Sequence, residues 1–174
     1  MQQGKSGTVP MKIVLTDIEV NLANLMSDVM QQYAVNNNYQ KRRIDSRTDY
    51  ELMRHGAGAE LAVARVLNVY PDFTSDYSKV DLEWRGQTIN VKQTKYQKGR
   101  LLIPEYQGKT AEWYILVTGE LPEYTIRGVA HSDTVFGRKA EWFHKARSHV
   151  IEQDELINME DWIYGITEAS TKGD

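Results

Sequence analysis

Hydrophobic and polar positions alternate most strictly between Val80 and Lys92, in VDLEWRGQTINVK. Val80, Leu82 and Trp84 interleave with Asp81 and Glu83. After Arg85-Gly86, Ile89 and Val91 interleave with Asn90 and Lys92. Strict alternation predicts two half-buried strands, and a glycine in second place suits a two-residue hairpin loop. Closing the loop on Arg85-Gly86 opposes Trp84 to Gln87, Leu82 to Ile89 and Asp81 to Asn90. The apolar residues then share one face, and Asp81, Asn90 and Lys92 share the other. A slip of one residue would set Asp81 against Ile89, so the pattern itself selects the register.

Around this hairpin the periodicity changes. Residues 17–34 place Ile18, Leu22, Leu25, Met26, Val29, Met30 and Tyr33 at helical spacing, with Asp17 as the expected cap and Asn36-Asn37-Asn38 as the end. Residues 49–69 predict a second helix, with Gly56 and Gly58 near its start or at a kink. Its run AGAELAVARVL is small and apolar except for Glu60, which sits either at a solvated rim or in a polar site. Residues 71–79 predict a loop in which Asp72 and Asp76 form turns and Tyr77 is packed or exposed. Leu101–Ile103 predicts a short strand stopped by Pro104, and Glu105 to Glu112 a loop. Trp113–Thr118 is nearly continuously apolar, as expected of a central strand buried on both faces. Tyr124–Ala130 predicts another strand. Phe136 to Val150 reads as a basic helix, with Arg138, Lys139, Lys145 and Arg147. Leu156 to Tyr164 reads as an amphipathic closing segment docked on the core. Helices, then antiparallel-leaning strands, then a helix make an α+β layered domain.

Composition narrows this picture. A chain of 174 residues with 41% hydrophobic and 26% charged positions suits one soluble domain with a real core. We divide it into a loose polar tail, residues 1–10, and a single domain, residues 11–174. Met11 as a natural start is left open. With no cysteine, disulfides and thiolate metal sites are excluded, and a reducing compartment is expected. No apolar run reaches the length of a membrane span, and no signal segment opens the chain, so a cytoplasmic location without a membrane partner is the default expectation. A net charge of −3 argues against a uniformly basic surface but leaves room for a local basic groove. Lys41, Arg42 and Arg43 form a short charge run, read as a solvated loop or, more sharply, as a phosphate contact. His131, His144 and His149 show no ligand spacing and are read as surface residues.

The chemistry lies in the hairpin's polar face. Carboxylates beside a lysine suit metal-assisted phosphodiester hydrolysis, in which a hard cation polarises the phosphate and acidifies a water while the lysine orients that water or neutralises developing charge. No phosphate-cradling glycine motif, Ser-His-Asp set or Cys-His set is visible. Glu60 in GAGAELAVARVL, Asp81 in VDLEWRG and Asn90-Val91-Lys92-Gln93 in INVKQT together resemble the PD-(D/E)XK nuclease superfamily, in particular its compact phage-type and RecB-like members. In that family a helix bearing a glutamate precedes a strand that begins at an aspartate. A turn follows, then a strand carrying acid-x-lysine, often with a glutamine soon after. The resemblance spans roughly Ala57 to Phe136. Each motif is short, and the signal lies in their order and spacing.

What the resemblance implies is a restriction-endonuclease-like core, with a mixed central β-sheet flanked by helices, and a magnesium-dependent DNA nuclease activity, endonuclease or exonuclease, manganese substituting. By position, Asp81 is the central metal ligand and Glu60 holds the ion, or a water on it, from the helix. The Val91 carbonyl is a backbone ligand. Lys92 positions or activates the water, and Gln93 orients the lysine or contacts substrate. Glu83 stays a surface residue. Many relatives act as dimers or rings, so a homo-oligomer is compatible, although no interface is legible.

One residue departs from the pattern: the family's acid is Asn90 here. An amide oxygen can still touch a metal but supplies no charge, and hard cations respond strongly to ligand charge. Three readings stay open: an engineered Asp→Asn change that silences cleavage while keeping shape, a natural variant with weaker metal binding, or a fold that binds DNA without cutting it. In the last, Lys41, Arg42, Arg43, Lys95, Lys98 and Arg100 carry phosphate contacts in a non-catalytic nucleic-acid-binding or partner-binding domain.

Overall fold

The computed structural model describes residues 9–37, 47–71, 80–143 and 146–171. The expectations for Lys41, Arg42, Arg43, Asp72, Asp76, Tyr77, His144 and Lys145, and for most of the N-terminal tail, lie outside the described residues.

In chain order the elements are β1 (Met11–Val14), α1 (Asp17–Asn36), α2 (Asp49–Leu67), β2 (Leu82–Trp84), β3 (Gln87–Thr94), β4 (Leu101–Pro104), β5 (Trp113–Glu120), β6 (Glu123–His131), α3 (Ser132–Phe136), β7 (Glu141–Phe143), β8 (Ala146–Ile151) and α4 (Met159–Thr171). Both long helices open on a threonine that closes a capping box. Thr16 accepts from the Glu19 N–H while Glu19 reaches back to the Thr16 N–H, and Thr48 and Glu51 repeat this on α2. Asp17, expected to be the cap, is instead the first residue inside the helix, where its charge suits the positive end of the dipole.

Five strands form a mixed sheet in the order β1-β6-β5-β3-β2, and three form an antiparallel sheet in the order β4-β8-β7. The molecule is thus α+β, with a mixed central sheet and helices. The predicted hairpin is present in the predicted register, with Leu82 opposite Ile89 and Trp84 opposite Gln87. Arg85 and Gly86 both have positive φ (49° and 75°), which matches a turn whose twist follows the strands. The antiparallel lean fails at one place: β3 and β5 run parallel, Asn90 facing Tyr114 and Lys92 facing Leu116. A parallel pair needs a long crossover, and residues 95–112 supply it with β4 and a 3-10 turn at Glu105–Gln107.

One strand was not foreseen, and one predicted helix is absent. Met11–Val14 is a strand, paired with β6 through Met11–Ile126 and Lys12–Thr125. Phe136 to Val150 is no helix: α3 ends at Phe136, and β7 and β8 pair antiparallel through Trp142 and Arg147. The reason is tertiary. β8 also pairs with β4, Leu101 opposite Ile151 and Ile103 opposite His149, and inserts Ile151 into a core that a solvated basic helix would have left open. His149, expected at the surface, is buried there; its Nδ1 lies 2.7 Å from the Arg138 carbonyl, and its ring packs edge-on to Phe136.

The central sheet separates two cores. On one side α1, α2 and α4 cover Leu82, Ile89, Val91, Ile115, Val117 and Ile126. On the other the second sheet and α3 cover Tyr114, Leu116 and Ala130 with Leu101, Ile103, Val135 and Ile151. β5 feeds both cores with alternate residues, which accounts for its continuous apolar run.

Candidate active site

The hairpin's open end holds an interlocked set of polar groups. The Asp81 N–H donates to Asn90 Oδ1 (3.2 Å), and the Val91 N–H donates to Asp81 Oδ2 (2.7 Å). The opposite end of the Asn90 amide donates to Thr110 Oγ1 (2.7 Å). Thr110 in turn is held by Tyr114: its N–H donates to the phenol oxygen at 3.0 Å, and the two hydroxyls lie 3.3 Å apart. Tyr114 is fully buried on β5. A chain of hydrogen bonds therefore runs from the sheet's centre through a loop to Asn90 and on to Asp81. Asn90 is itself buried, and every contact it makes here uses the correct end of its amide.

Lys92 follows two residues later on the same face and donates weakly to Gln107 Oε1 (3.4 Å). Asn90 and Lys92 share the face of their β5 neighbours Tyr114 and Leu116, while Ile89 and Val91 face the helices. The structure thus joins Asp81 to Asn90 and to the Val91 backbone by hydrogen bonds, and places Lys92 two residues further along β3 on the face of Asn90. Glu60 is half-buried on α2, the helix that packs against β2 and β3 from the other side of the sheet. Gln93 engages both ends of its amide away from the lysine: Nε2 donates to the Gly119 carbonyl (2.6 Å), and Oε1 accepts from Arg47 (3.2 Å). Glu83 is exposed, as expected.

Sequence reading missed three contributors. Thr110 and Tyr114 carried no signal, because the loop that joins them to Asn90 lies 20 residues away in sequence. His55, one turn before Glu60 on α2, forms a second polar knot. Its Nδ1 accepts from the Leu121 N–H (3.2 Å), and its Nε2 lies 3.5 Å from Glu120, which also faces Arg47 at 3.9 Å. Burial pulls the His55 imidazole below its ordinary 6.5; Glu120 opposes that shift, and Arg47 and Arg54 reinforce it.

A basic recess opens beside Lys92. Arg47, Lys92, Lys98 and Arg100 line it with Tyr96, Tyr106 and Phe143, and no carboxylate among the described residues is in the lining. Among the described residues no group of three His, Cys, Asp or Glu side chains surrounds a common point, and no helix is long and apolar enough to cross a membrane. Comparison with known proteins gives no match to this chain, whether to a family model, a curated protein or a solved structure.

Proposed function

We propose that this chain is a PD-(D/E)XK-type, divalent-cation-dependent deoxyribonuclease whose cleavage is weakened by Asn90. The observation that carries the reading is the lock between Asp81 and Asn90 at the hairpin's open end, with Lys92 next on the same face. The donor chemistry fits magnesium: two carboxylates, an amide oxygen and a backbone carbonyl are all hard oxygens. It is also the oxygen end of Asn90 that is turned to Asp81. Asp81 would hold the ion, with Glu60, Asn90 Oδ1 and the Val91 carbonyl as further ligands. Because α2 lies across the sheet from Asn90 and Lys92, a shared site has to be built at the strand ends beside Asp81, not on the sheet's face. Such a site belongs to a restriction-endonuclease-like core.

When bound, a magnesium or manganese ion neutralises phosphate charge and acidifies water. The chain's own residues do the rest. Lys92 directs its ammonium at the phosphate and offsets charge that builds on it. The Thr110–Tyr114 pair fixes Asn90, and Asn90 fixes the backbone of Asp81. Gln93 holds the buried Arg47 guanidinium through its Oε1.

The test is a cleavage panel on single- and double-stranded DNA with magnesium or manganese. Asn90→Asp restores a third carboxylate and is expected to cut DNA at least tenfold faster than the chain as it stands. Adding Asp81→Ala or Lys92→Ala is expected to abolish that cutting. Calorimetric titration of magnesium gives a readout that does not depend on turnover: Asp81→Ala should lose binding. An Asn90→Asp protein that cuts no DNA, or metal binding indifferent to Asp81, overturns the proposal.

A second reading has its own support. Both ends of the Asn90 amide are engaged within the chain, Nδ2 by a donation that a carboxylate cannot make. A domain that binds DNA without cutting it predicts salt-dependent, metal-independent binding.

A further inference from the structure

The recess beside Lys92 has a volume of about 450 Å³, within the range of sites that enclose a small ligand. It lies between the end of β3, the turn at residues 95–100, β4 and the 3-10 turn that follows. Its composition is unlike the rest of a chain with net charge −3: among the described residues, four cations and no acid line it. Two of those cations are partly neutralised from outside the lining, Arg100 by Glu152 at 3.0 Å and Arg47 by Glu120 at 3.9 Å. Lys92 and Lys98 make no such ion pair among the described residues.

Aromatic rings stand among these cations. Tyr96 and Tyr106 are more than half exposed, at 56% and 59%. Lys95 Nζ lies 5.4 Å over the Tyr96 ring, and the Arg100 guanidinium lies 4.8 Å over Phe143. Exposed rings cost hydrophobic burial and offer flat apolar surfaces at the mouth of a basic recess. A duplex hides its base faces in its own stack and presents only edges and phosphates. An unpaired strand presents base faces that stack on aromatic side chains, and stacking contributes ~1–3 kcal/mol per base. Cations beside the rings then meet the phosphates that flank a stacked base.

We propose that this recess seats an unpaired nucleotide of single-stranded DNA, its base stacked on Tyr96 or Tyr106 and its phosphates on Lys98 and Arg100, and so delivers the adjoining phosphodiester toward Lys92. The inference rests on the nuclease reading for its direction, and it deepens that reading by assigning the substrate class.

The test measures binding without metal, so that it stands apart from cleavage. Fluorescence anisotropy in EDTA compares a labelled oligothymidylate with a blunt duplex of equal length. The intact chain is expected to bind the single strand at least tenfold more tightly. Tyr96→Ala or Tyr106→Ala is expected to weaken that binding by roughly 5- to 150-fold, from ~1–3 kcal/mol per stacked base, and Tyr→Phe at the same positions to restore it. Lys98→Ala should weaken it and flatten its salt dependence. The tyrosines are exposed, and an unchanged melting temperature verifies that each variant is folded. Equal affinity for duplex and single strand, or indifference to both tyrosines, overturns this proposal and leaves the nuclease reading to the Asn90→Asp cleavage panel. Binding to neither nucleic acid also overturns it, while cleavage by Asn90→Asp would still uphold the nuclease.

Discussion

Two glycines in one helix carry opposite roles. Gly58 faces β6 closely: a methyl group there would overlap the Tyr124 hydroxyl and approach Leu121 Cδ2 to 2.8 Å. That phenol is buried, donates to the His55 carbonyl at 2.9 Å and is pushed well above its ordinary pKa, so it stays protonated as a donor. Gly58→Ala is therefore expected to destabilise the fold by ~1–3 kcal/mol through overpacking. Nothing lies within 4 Å of a methyl group at Gly56, so Gly56→Ala is expected to stabilise by ~0.5–1 kcal/mol through helix propensity. Urea denaturation of the two variants side by side checks the opposite signs. Tyr114→Phe removes the acceptor of the Thr110 and Ala111 N–H groups. The expected loss is toward the lower end of ~1–3 kcal/mol, because Thr110 is exposed and water can reach it. At this scale Asn90 and Lys92 were legible as neighbours on one face, two residues apart, and Asp81 as the partner of Asn90 across the turn. Thr110 and Tyr114 were not, because hydrogen bonds across a loop leave no periodic trace.

At the scale of elements, α4 fastens one edge of the helical core. Trp162 is 3% exposed and packs against Trp84 at 5.3 Å and Trp113 at 5.5 Å between ring centroids. It thereby ties the last helix to the hairpin and to β5. Trp162→Ala is expected to cost ~3–5 kcal/mol, and hydrogen exchange should show α4 and β2 losing protection together. The docked amphipathic segment was readable because Met159, Trp162 and Ile163 recur at helical spacing. The segment from Phe136 to Val150 misled for a physical reason: charges at Arg138, Lys139, Lys145 and Arg147 are compatible with a solvated helix face or with the wet side of a hairpin. The structure settles Arg138 with Glu155 at 2.6 Å and Arg147 with Glu105 at 3.4 Å, partners on other elements that local sequence does not specify.

Across the whole molecule, the sheet carries the helices on one face and the second sheet on the other, and Arg47 links the polar knot of His55 to the lining of the recess. The knot joins α2 to the β5–β6 turn through Leu121 and Glu120. Because burial depresses the His55 pKa in the folded state, the unfolded chain takes up the proton first as pH falls. This contribution to stability is complete above 6.5 and is lost as pH drops from there through the lower folded value. Denaturation midpoints followed downward from neutral pH are expected to fall, and His55→Asn should reduce that slope.

The sequence by itself determined the local rules of this protein: two long helices, the hairpin and its register, the doubly buried β5, and the shared face of Asn90 and Lys92. Those follow from side-chain period and turn chemistry, which act between near neighbours. Only the tertiary structure decided the parallel pairing of β3 with β5, the conversion of 136–150 into a strand pair, the burial of His149 and the recess beside Lys92. Each of these depends on a partner distant in sequence, and burial against such a partner outweighs the weak local preference of a segment.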